Sequence, residues 1–120
     1  MNYLETATTA ARAGASVLME HFRNLDFSDV KTKERSDFVS HVDNRSEQAI
    51  RRIILEEYPD HLFVGEEQGA FGVPGEWRWI VDPLDGTSNY VHGVAQFSVS
   101  VALLQGDDVV ASVVFDPMKE

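Results

Sequence analysis

One segment of the chain, residues 82–87, most constrains its fold, because it ends a strand and places two carboxylates there. The apolar, β-prone residues 77–81 predict a strand that ends at Asp82. Pro83 restricts the backbone between Asp82 and Asp85, so both carboxylates can converge on one point. Aspartate–proline and aspartate–glycine pairs are also ordinary turn formers, and taken alone the segment fits a loop better than a metal site.

Carboxylates from a second segment favour a cation site at this strand end. Glu66 and Glu67 follow the short apolar run 62–65, which predicts a neighbouring buried strand. Gathering these acids with the two aspartates would be strongly repulsive without a cation. Hard cations such as magnesium prefer oxygen ligands, and the carbonyl of Leu84 could add one. The residues therefore point to a magnesium site, while the Glu66–Glu67 pair alone is typical of a solvated strand end.

Groups that follow the second aspartate suit a phosphate and an attacking water. Backbone amides of Gly86 and Thr87 could hold phosphate oxygens, and a side chain at position 86 would block close approach. The Thr87 hydroxyl could orient a water if a carboxylate accepts its proton, and Asp43 is the candidate acceptor. Two or more cations could polarise the phosphate and lower the pKa of that water. The ordinary alternatives are a helix cap for Asp43 and a solvated cation for Lys33.

Two helices are predicted before the strands. Apolar residues recur at spacings of three and four from Leu4 to Phe22, which predicts an amphipathic helix ending near Asn24. A second helix is predicted to begin at Asn44, whose side chain would cap it while Glu47 reaches back. Pro59 would enforce its end. The polar residues 27–41 between the helices are interpreted as a connector, with room for a short strand.

The second half of the chain predicts an antiparallel meander. Residues 97–104 and 109–115 are strand candidates, and residues 106–108 between them predict a hairpin turn. The glycine-rich residues 65–75 predict a mobile surface loop beside the carboxylates. The strand 109–115 has no later partner in the sequence, so its edge would be exposed.

The acidic composition limits the classes of partner. The chain has 20 acidic and 10 basic residues and a formal net charge of −10, which disfavours direct nucleic-acid or anionic-membrane binding. Phosphorylated substrates would also be repelled unless cations reverse the local field. Cysteine is absent, which excludes disulfides and thiolate metal sites. The chain shows no signal sequence or long apolar run, so we expect a cytoplasmic protein.

Four ordered segments resemble the inositol monophosphatase family. The family hallmark, Asp-Pro-(Ile/Leu)-Asp-Gly-Thr preceded by Gly-Glu-Glu, is matched at residues 82–87 and 65–67. Residues 37–43 resemble a family segment that ends in aspartate, and residues 89–93 resemble its Asn-Phe-Val-His continuation. The resemblance implies an α/β fold, the layered αβαβα sandwich. Residues 1–120 would be its N-terminal, metal- and phosphate-binding domain, without the C-terminal half.

The resemblance also implies roles for individual residues. The metal ligands would be Glu66, Asp82 bridging two ions, the carbonyl of Leu84, and Asp85 on the second ion. The phosphate would meet Asp85, Gly86 and Thr87; the catalytic residues would be Asp43, Thr87 and Glu66; Glu67 and Lys33 would support them. Family members use two or three Mg²⁺ ions and direct attack of water on phosphorus. Many members are inhibited by lithium, and the full-length proteins commonly form homodimers.

The family's later Trp-Asp-x-Ala-Ala-Gly motif, which carries another metal-binding aspartate, has no match in these residues. We therefore expect residues 1–120 alone to hydrolyse phosphomonoesters poorly. The leading interpretation is a phosphatase of inositol 1-phosphate or a similar polyol or sugar phosphate. Alternatives are a 3′-phosphoadenosine 5′-phosphate or fructose 1,6-bisphosphate phosphatase, a truncated non-catalytic binding or regulatory module, and a cation-stabilised structural domain.

Overall fold

The fold is a five-stranded sheet with two long helices packed against it. The computed structural model describes residues 1–22 and 32–119, and side chains within residues 1–22 and 37–119. In chain order the elements are α1 (Tyr3–Phe22), α2 (Thr32–Glu57), β1 (Leu62–Gly65), β2 (Gly69–Gly72), β3 (Trp77–Asp85), α3 (Thr87–Val91), β4 (Ser98–Gln105) and β5 (Asp108–Phe115). The predicted fold class, two helices followed by a largely antiparallel sheet, is confirmed.

The strand order in the sheet is β2-β1-β3-β4-β5. Strands β3, β4 and β5 form the predicted antiparallel meander, and Gln105 pairs with Asp108 across the predicted hairpin turn. Strand β1, in contrast, runs parallel to β3. The alternation of side chains does not set the direction in which two strands pair, so the sequence did not indicate this parallel pair. Its consequence is that Gly65, the last residue of β1, lies beside Val81 of β3, immediately before Asp82.

Helix α1 packs through a face of small residues. Its buried residues are Thr6, Ala7, Ala10, Ala11, Gly14, Ala15 and Leu18. A Cβ atom at Gly14 would lie 2.6 Å from Cδ1 of Ile50 on α2, so the backbone approaches the second helix more closely than a side chain would allow. The helix was correctly predicted, while its expected end near Asn24 lies outside the described residues.

Helix α2 begins at Thr32, well before the predicted start at Asn44. The capping prediction was wrong, because the Asn44 side chain donates to the carbonyl of Ser40 at 3.0 Å inside the helix. Glu47 does not reach back to it but is buried against a later turn of the chain. Residues 32–41 therefore form helix, not a connector. Residues 27–31 of the predicted connector lie outside the described residues.

The second half departs from the predicted strands in two places. Residues 69–72, expected in a surface loop, form the exposed strand β2, which pairs antiparallel with β1. Gly69, which closes the turn after β1, has a positive φ of 83° that glycine adopts readily. Gly72, at the far end of β2, has a φ of 98°, and a Cβ atom there would overlap the carbonyl oxygen of His61. Strand β3 does not end at Asp82 but continues to Asp85, with an irregular register between these two residues.

The core lies between the sheet and the two helices. The strands contribute Phe63, Trp79, Val81, Val99, Val101 and Leu103, and the helices contribute Leu18, Ile50 and Ile54 beside the alanines of α1. Trp79 is fully buried, and its indole N–H donates to Nδ1 of His61 at 3.0 Å. Within the part of the chain that the structure describes, no helix is long and apolar enough to cross a membrane.

Candidate active site

Three polar side chains on one turn of α2 face the ends of the strands. Asp43, Ser46 and Glu47 are three and four residues apart, a spacing that puts them on one face of a helix. Asp43 is 7% exposed, and Ser46 and Glu47 are fully buried. Polar groups are rarely buried without partners or a functional reason, so this turn marks the centre of the site.

Glu47 holds the turn that follows β1. Its two carboxylate oxygens accept hydrogen bonds from the backbone N–H groups of Glu67 at 2.9 Å and Gln68 at 2.8 Å. A Cβ atom at Gly65 would overlap the Glu47 carboxyl group, so only glycine leaves room for this contact. The carboxylate therefore fixes the backbone that carries the Glu66 and Glu67 side chains.

The parallel pairing of β1 with β3 brings Glu66 to Asp82. Gly65, the last residue of β1, pairs with Val81, and Glu66 and Asp82 are the residues that follow this pair. A hydrogen bond with Asp82 is the largest cause that raises the pKa of Glu66, followed by the negative charge of Asp82. Glu66 therefore binds a proton more readily than it would in water.

Asp43 is buried and lies close enough to the same acids to be influenced by their negative charge. Burial is the largest cause that raises its pKa to about 7, followed by the charges of Glu67, Asp82 and Glu66. Its buried Oδ1 atom has no hydrogen-bond partner among the described residues. Burial, followed by the charge of Asp43, also raises the pKa of Tyr90. A carboxyl group with a pKa near neutrality can accept or release a proton at physiological pH.

The end of β3 forms a compact turn. The carboxylate of Asp82 accepts a hydrogen bond from the Leu84 N–H at 3.2 Å, and the Thr87 hydroxyl donates to the Leu84 carbonyl at 3.3 Å. Gly86 has a φ of 92°, and a Cβ atom there would lie 2.9 Å from the carbonyl oxygen of Gln96. Glycine is thus required at this position for backbone reasons, in addition to the predicted access for phosphate.

Ser46 ties this turn to the helices. Its hydroxyl oxygen lies 3.1 Å from the carbonyl oxygen of Gly14 on α1 and 3.2 Å from that of Pro83. One hydroxyl hydrogen is therefore shared between the two carbonyl groups. Helix α2 thus contacts both acidic segments from adjacent positions, the 66–68 turn through Glu47 and the 82–85 segment through Ser46.

The structure brings some of the predicted residues together and leaves others apart. Asp43, Glu66, Glu67 and Asp82 lie close enough to influence one another electrostatically. The Asp85 side chain is exposed at the strand end. Thr87 donates to Leu84 and not to Asp43, so the predicted water-activating pair is not joined by a hydrogen bond. Lys33 lies on α2, but its side chain is outside the described residues.

The donor chemistry of this cluster suits magnesium, since carboxylate and carbonyl oxygens are the ligands that hard cations prefer. The unpartnered Oδ1 of Asp43 and the mutual repulsion of the acids also fit a nearby cation. Among residues 1–22 and 32–119, however, no group of three or more histidine, aspartate or glutamate side chains is already arranged to hold a metal ion. The ligand roles of Glu66, Asp82, Leu84 and Asp85 therefore stay predictions.

Sequence reasoning missed Ser46 and Glu47 as parts of the site. Glu47 was interpreted as a capping residue, although it lies three and seven residues before Ile50 and Ile54 on the buried stripe of the helix. A charged residue on a buried stripe is rare unless it is paired, and that signal could have identified it. Its partners could not be identified, because they lie about twenty residues away on another element.

These features define an α/β protein with a carboxylate cluster at the carboxyl ends of two parallel strands, next to a glycine turn. The family model described as "Inositol monophosphatase family" matches residues 1–120. The chain belongs to the inositol monophosphatase family.

Similar proteins agree with this assignment. A "fructose-1,6-bisphosphatase/inositol-1-monophosphatase" of Aquifex aeolicus is 47% identical over 115 residues, covering 96% of this chain and 44% of the relative. A "Nus factor SuhB" of Pasteurella multocida is 38% identical over 117 residues, covering 97% of this chain and 44% of the relative. The solved inositol monophosphatase of Anabaena (Nostoc) sp. PCC 7120 aligns with a TM-score of 0.80 and 33% identity, covering 98% of this chain and 41% of that one. The chain thus spans less than half the length of these proteins.

Proposed function

We propose that this chain supplies the metal- and phosphate-binding part of a magnesium-dependent phosphomonoesterase. Its substrate would be inositol 1-phosphate or a similar small polyol or sugar phosphate. The observation that carries the proposal is the arrangement of the site: the buried Asp43 carboxyl group, whose Oδ1 has no hydrogen-bond partner among the described residues, lies beside Glu66, Glu67 and Asp82. Without a cation, burial and these acids raise the pKa of Asp43 to about 7, and strongly shifted pKa values cluster at functional sites.

The proposed roles follow from the chemistry of each group. Glu66, Asp82, Asp85 and the Leu84 carbonyl would hold two or three Mg²⁺ ions, which when bound supply charge to polarise a phosphate and acidify a water. Asp43 would take a proton from the attacking water, which the Thr87 hydroxyl would orient. Glu66 would assist Asp43 and Thr87 by binding the cation that acidifies this water. Glu67 and Lys33 would support the site through their charges.

The phosphate would lie at the turn after β3. The backbone N–H groups of Gly86 and Thr87 lie at the start of α3, where they could donate to phosphate oxygens. The exposed Asp85 would meet both the cation and the phosphate. Because the chain carries a net charge of −10, a phosphate would approach this turn only when cations offset the acidic cluster.

The test is phosphate release from inositol 1-phosphate, with and without magnesium. We expect slow, magnesium-dependent release, since the family's later metal-binding aspartate has no match in these residues. Asp82→Asn should abolish it, and Asp107→Asn, an exposed turn residue, should leave it unchanged. Release that persists in Asp82→Asn or without magnesium would contradict the proposal, and so would the absence of both release and magnesium binding.

Two other substrate classes belong in the same assay. The Aquifex aeolicus relative is named for fructose 1,6-bisphosphate as well as inositol 1-phosphate, which supports fructose 1,6-bisphosphate as an alternative. 3′-Phosphoadenosine 5′-phosphate is a further alternative within the superfamily. We expect the highest kcat/KM for inositol 1-phosphate, and a higher value for either alternative would reassign the substrate.

A second candidate function is that of a non-catalytic binding or regulatory module. The similarity to a Nus factor SuhB supports it. Because the net charge of −10 disfavours direct contact with RNA, the partner would be a protein. A pull-down with the wild-type chain and Asp82→Asn distinguishes the two functions. Equal capture of one protein by both, with no phosphate release from either, would favour the regulatory module.

Three properties complete the proposal for the full-length protein: a cytoplasmic location, a homodimeric state and inhibition by lithium. Sedimentation of the full-length protein tests the homodimer, and a single species at the monomer mass would contradict it. Phosphate release in lithium chloride against sodium chloride at equal concentration tests the inhibition.

A further inference from the structure

The carboxyl group of Glu47 is completely buried, in the middle of α2. Both of its oxygens accept backbone N–H groups of a single turn, from Glu67 at 2.9 Å and from Gln68 at 2.8 Å. These two residues directly follow Glu66. The position of the Glu66 side chain relative to Asp82 therefore depends on a hydrogen-bonded anchor that lies on another element.

A purely structural anchor would not need a negative charge. A neutral acceptor can satisfy backbone N–H groups, whereas burying a carboxylate carries a large desolvation cost. Glu47 also adds charge where Asp43, Glu66, Glu67 and Asp82 already repel one another, and it is among the causes that raise the pKa of Glu66. This arrangement is costly in the absence of a cation and becomes favourable when one is bound.

The surrounding residues leave no freedom in this contact. A Cβ atom at Gly65 would overlap the Glu47 carboxyl group, so the chain passes directly over it. Ser46, the preceding residue, contacts the Pro83 carbonyl between the two aspartates at 3.2 Å. One turn of α2 therefore sets the separation between the two acidic segments.

On the basis of the proposed function, we propose that Glu47 is a positioning residue for the magnesium site. It fixes the turn that carries Glu66 and Glu67 against Asp82, and it places a negative charge behind these side chains without contacting the cation itself. Groups in this role orient the ligands and strengthen cation binding, and their loss costs roughly 10- to 100-fold in metal affinity.

The test compares magnesium affinity in four forms of the 120-residue chain, measured by isothermal titration calorimetry. These are the wild type, Glu47→Gln, Glu47→Asp and the control Glu56→Gln, which changes an exposed glutamate on the same helix. Glutamine replaces one of the two accepting oxygens with an NH₂ group, which cannot accept a hydrogen bond from a backbone N–H. Aspartate keeps both oxygens but is one methylene shorter, so it does not reach the turn. We expect at least about tenfold weaker binding in both Glu47 variants and less than about twofold change in Glu56→Gln.

The affinity readout separates positioning from a structural role. A structural role would lower the unfolding temperature of the Glu47 variants without changing the affinity of the molecules that stay folded. Wild-type affinity in both folded variants would therefore overturn the inference alone. No magnesium binding by the wild-type chain would overturn the proposed function, and this inference with it.

A second measurement needs no variant and applies even if the Glu47 variants fail to fold. In the metal-free wild-type chain, amide hydrogen exchange of Glu67 and Gln68 should be at least about tenfold slower than in an unstructured peptide, because both amides donate to Glu47. Exchange at the unstructured rate for both amides would overturn the inference.

Discussion

At the scale of single residues, the site is dominated by the cost of gathering carboxyl groups. Asp43 and Glu66 lie in different elements, and each has a raised pKa for a different first cause, burial for Asp43 and the hydrogen bond with Asp82 for Glu66. Both shifts favour the protonated form, so protons and cations would compete for this cluster of carboxyl groups.

The first residue-scale prediction concerns the pH dependence of stability without metal. The Asp43 carboxyl group keeps its proton up to about pH 7 in the folded chain, whereas an unfolded chain loses it near pH 4. The folded state therefore binds more protons between these values, and the free energy of unfolding falls as pH rises through this window. The slope is at most about 1.4 kcal/mol per pH unit for this group.

The variant Asp43→Asn should remove this part of the decline and should be more stable than the wild type at pH 7. Asp37→Asn, an exposed position on the same helix, should keep the wild-type pH profile. Urea unfolding from pH 4 to pH 8 in the presence of a chelator measures both. If Asp43→Asn shows the wild-type profile, Asp43 is not the group that titrates.

At the scale of elements, the sequence predicted what depends on local pattern. Helix α1, strands β1, β4 and β5 and the hairpin turn were correctly predicted, because periodicity and turn chemistry are local. The start of α2 was wrong because a capping pattern also fits the interior of a helix, and only a distant contact distinguishes the two. The predicted acids Asp43, Glu66 and Asp82 are neighbours in the structure. Glu66 and Asp82 meet because β1 pairs parallel with β3, and the side-chain pattern of the sequence does not indicate that pairing.

The close approach of α1 and α2 gives the element-scale prediction. Gly14→Ala places a Cβ atom 2.6 Å from Cδ1 of Ile50, and we expect a loss of about 1–2 kcal/mol in spite of alanine's higher helix propensity. Ile50→Val removes Cδ1, so the double variant should lose less stability than the sum of the two single variants. Urea unfolding of all four forms measures this coupling.

The matched control is Gly75→Ala, where an added Cβ atom meets nothing within 4 Å. Its stability should stay within about 0.5 kcal/mol of the wild type. Additive losses in the Gly14→Ala, Ile50→Val cycle would show that Cδ1 of Ile50 does not oppose the added Cβ atom, and would leave Ser46 Oγ, at 2.9 Å, as the atom that does.

At the scale of the whole molecule, the acidic cluster and the net charge of −10 act in the same direction. Self-repulsion destabilises a compact chain, and the carboxyl groups of the site concentrate that repulsion at the ends of β1 and β3. A cation bound there would relieve it locally. Dissolved salt would relieve it everywhere through screening, so the two effects can be separated by matching ionic strength.

Magnesium chloride should therefore stabilise the chain more than sodium chloride of equal ionic strength. A ligand that binds only the folded state at 100 times its dissociation constant adds about 2.7 kcal/mol to the free energy of unfolding. Asp82→Asn should lose the magnesium-specific part, and Asp107→Asn should keep it. Thermal unfolding in both salts, with and without chelator, measures the difference. Equal stabilisation by the two salts, or an unchanged magnesium effect in Asp82→Asn, would mean that salt screens the acidic cluster and that no magnesium ion binds there. The proposed phosphatase activity depends on that metal site and would be contradicted with it.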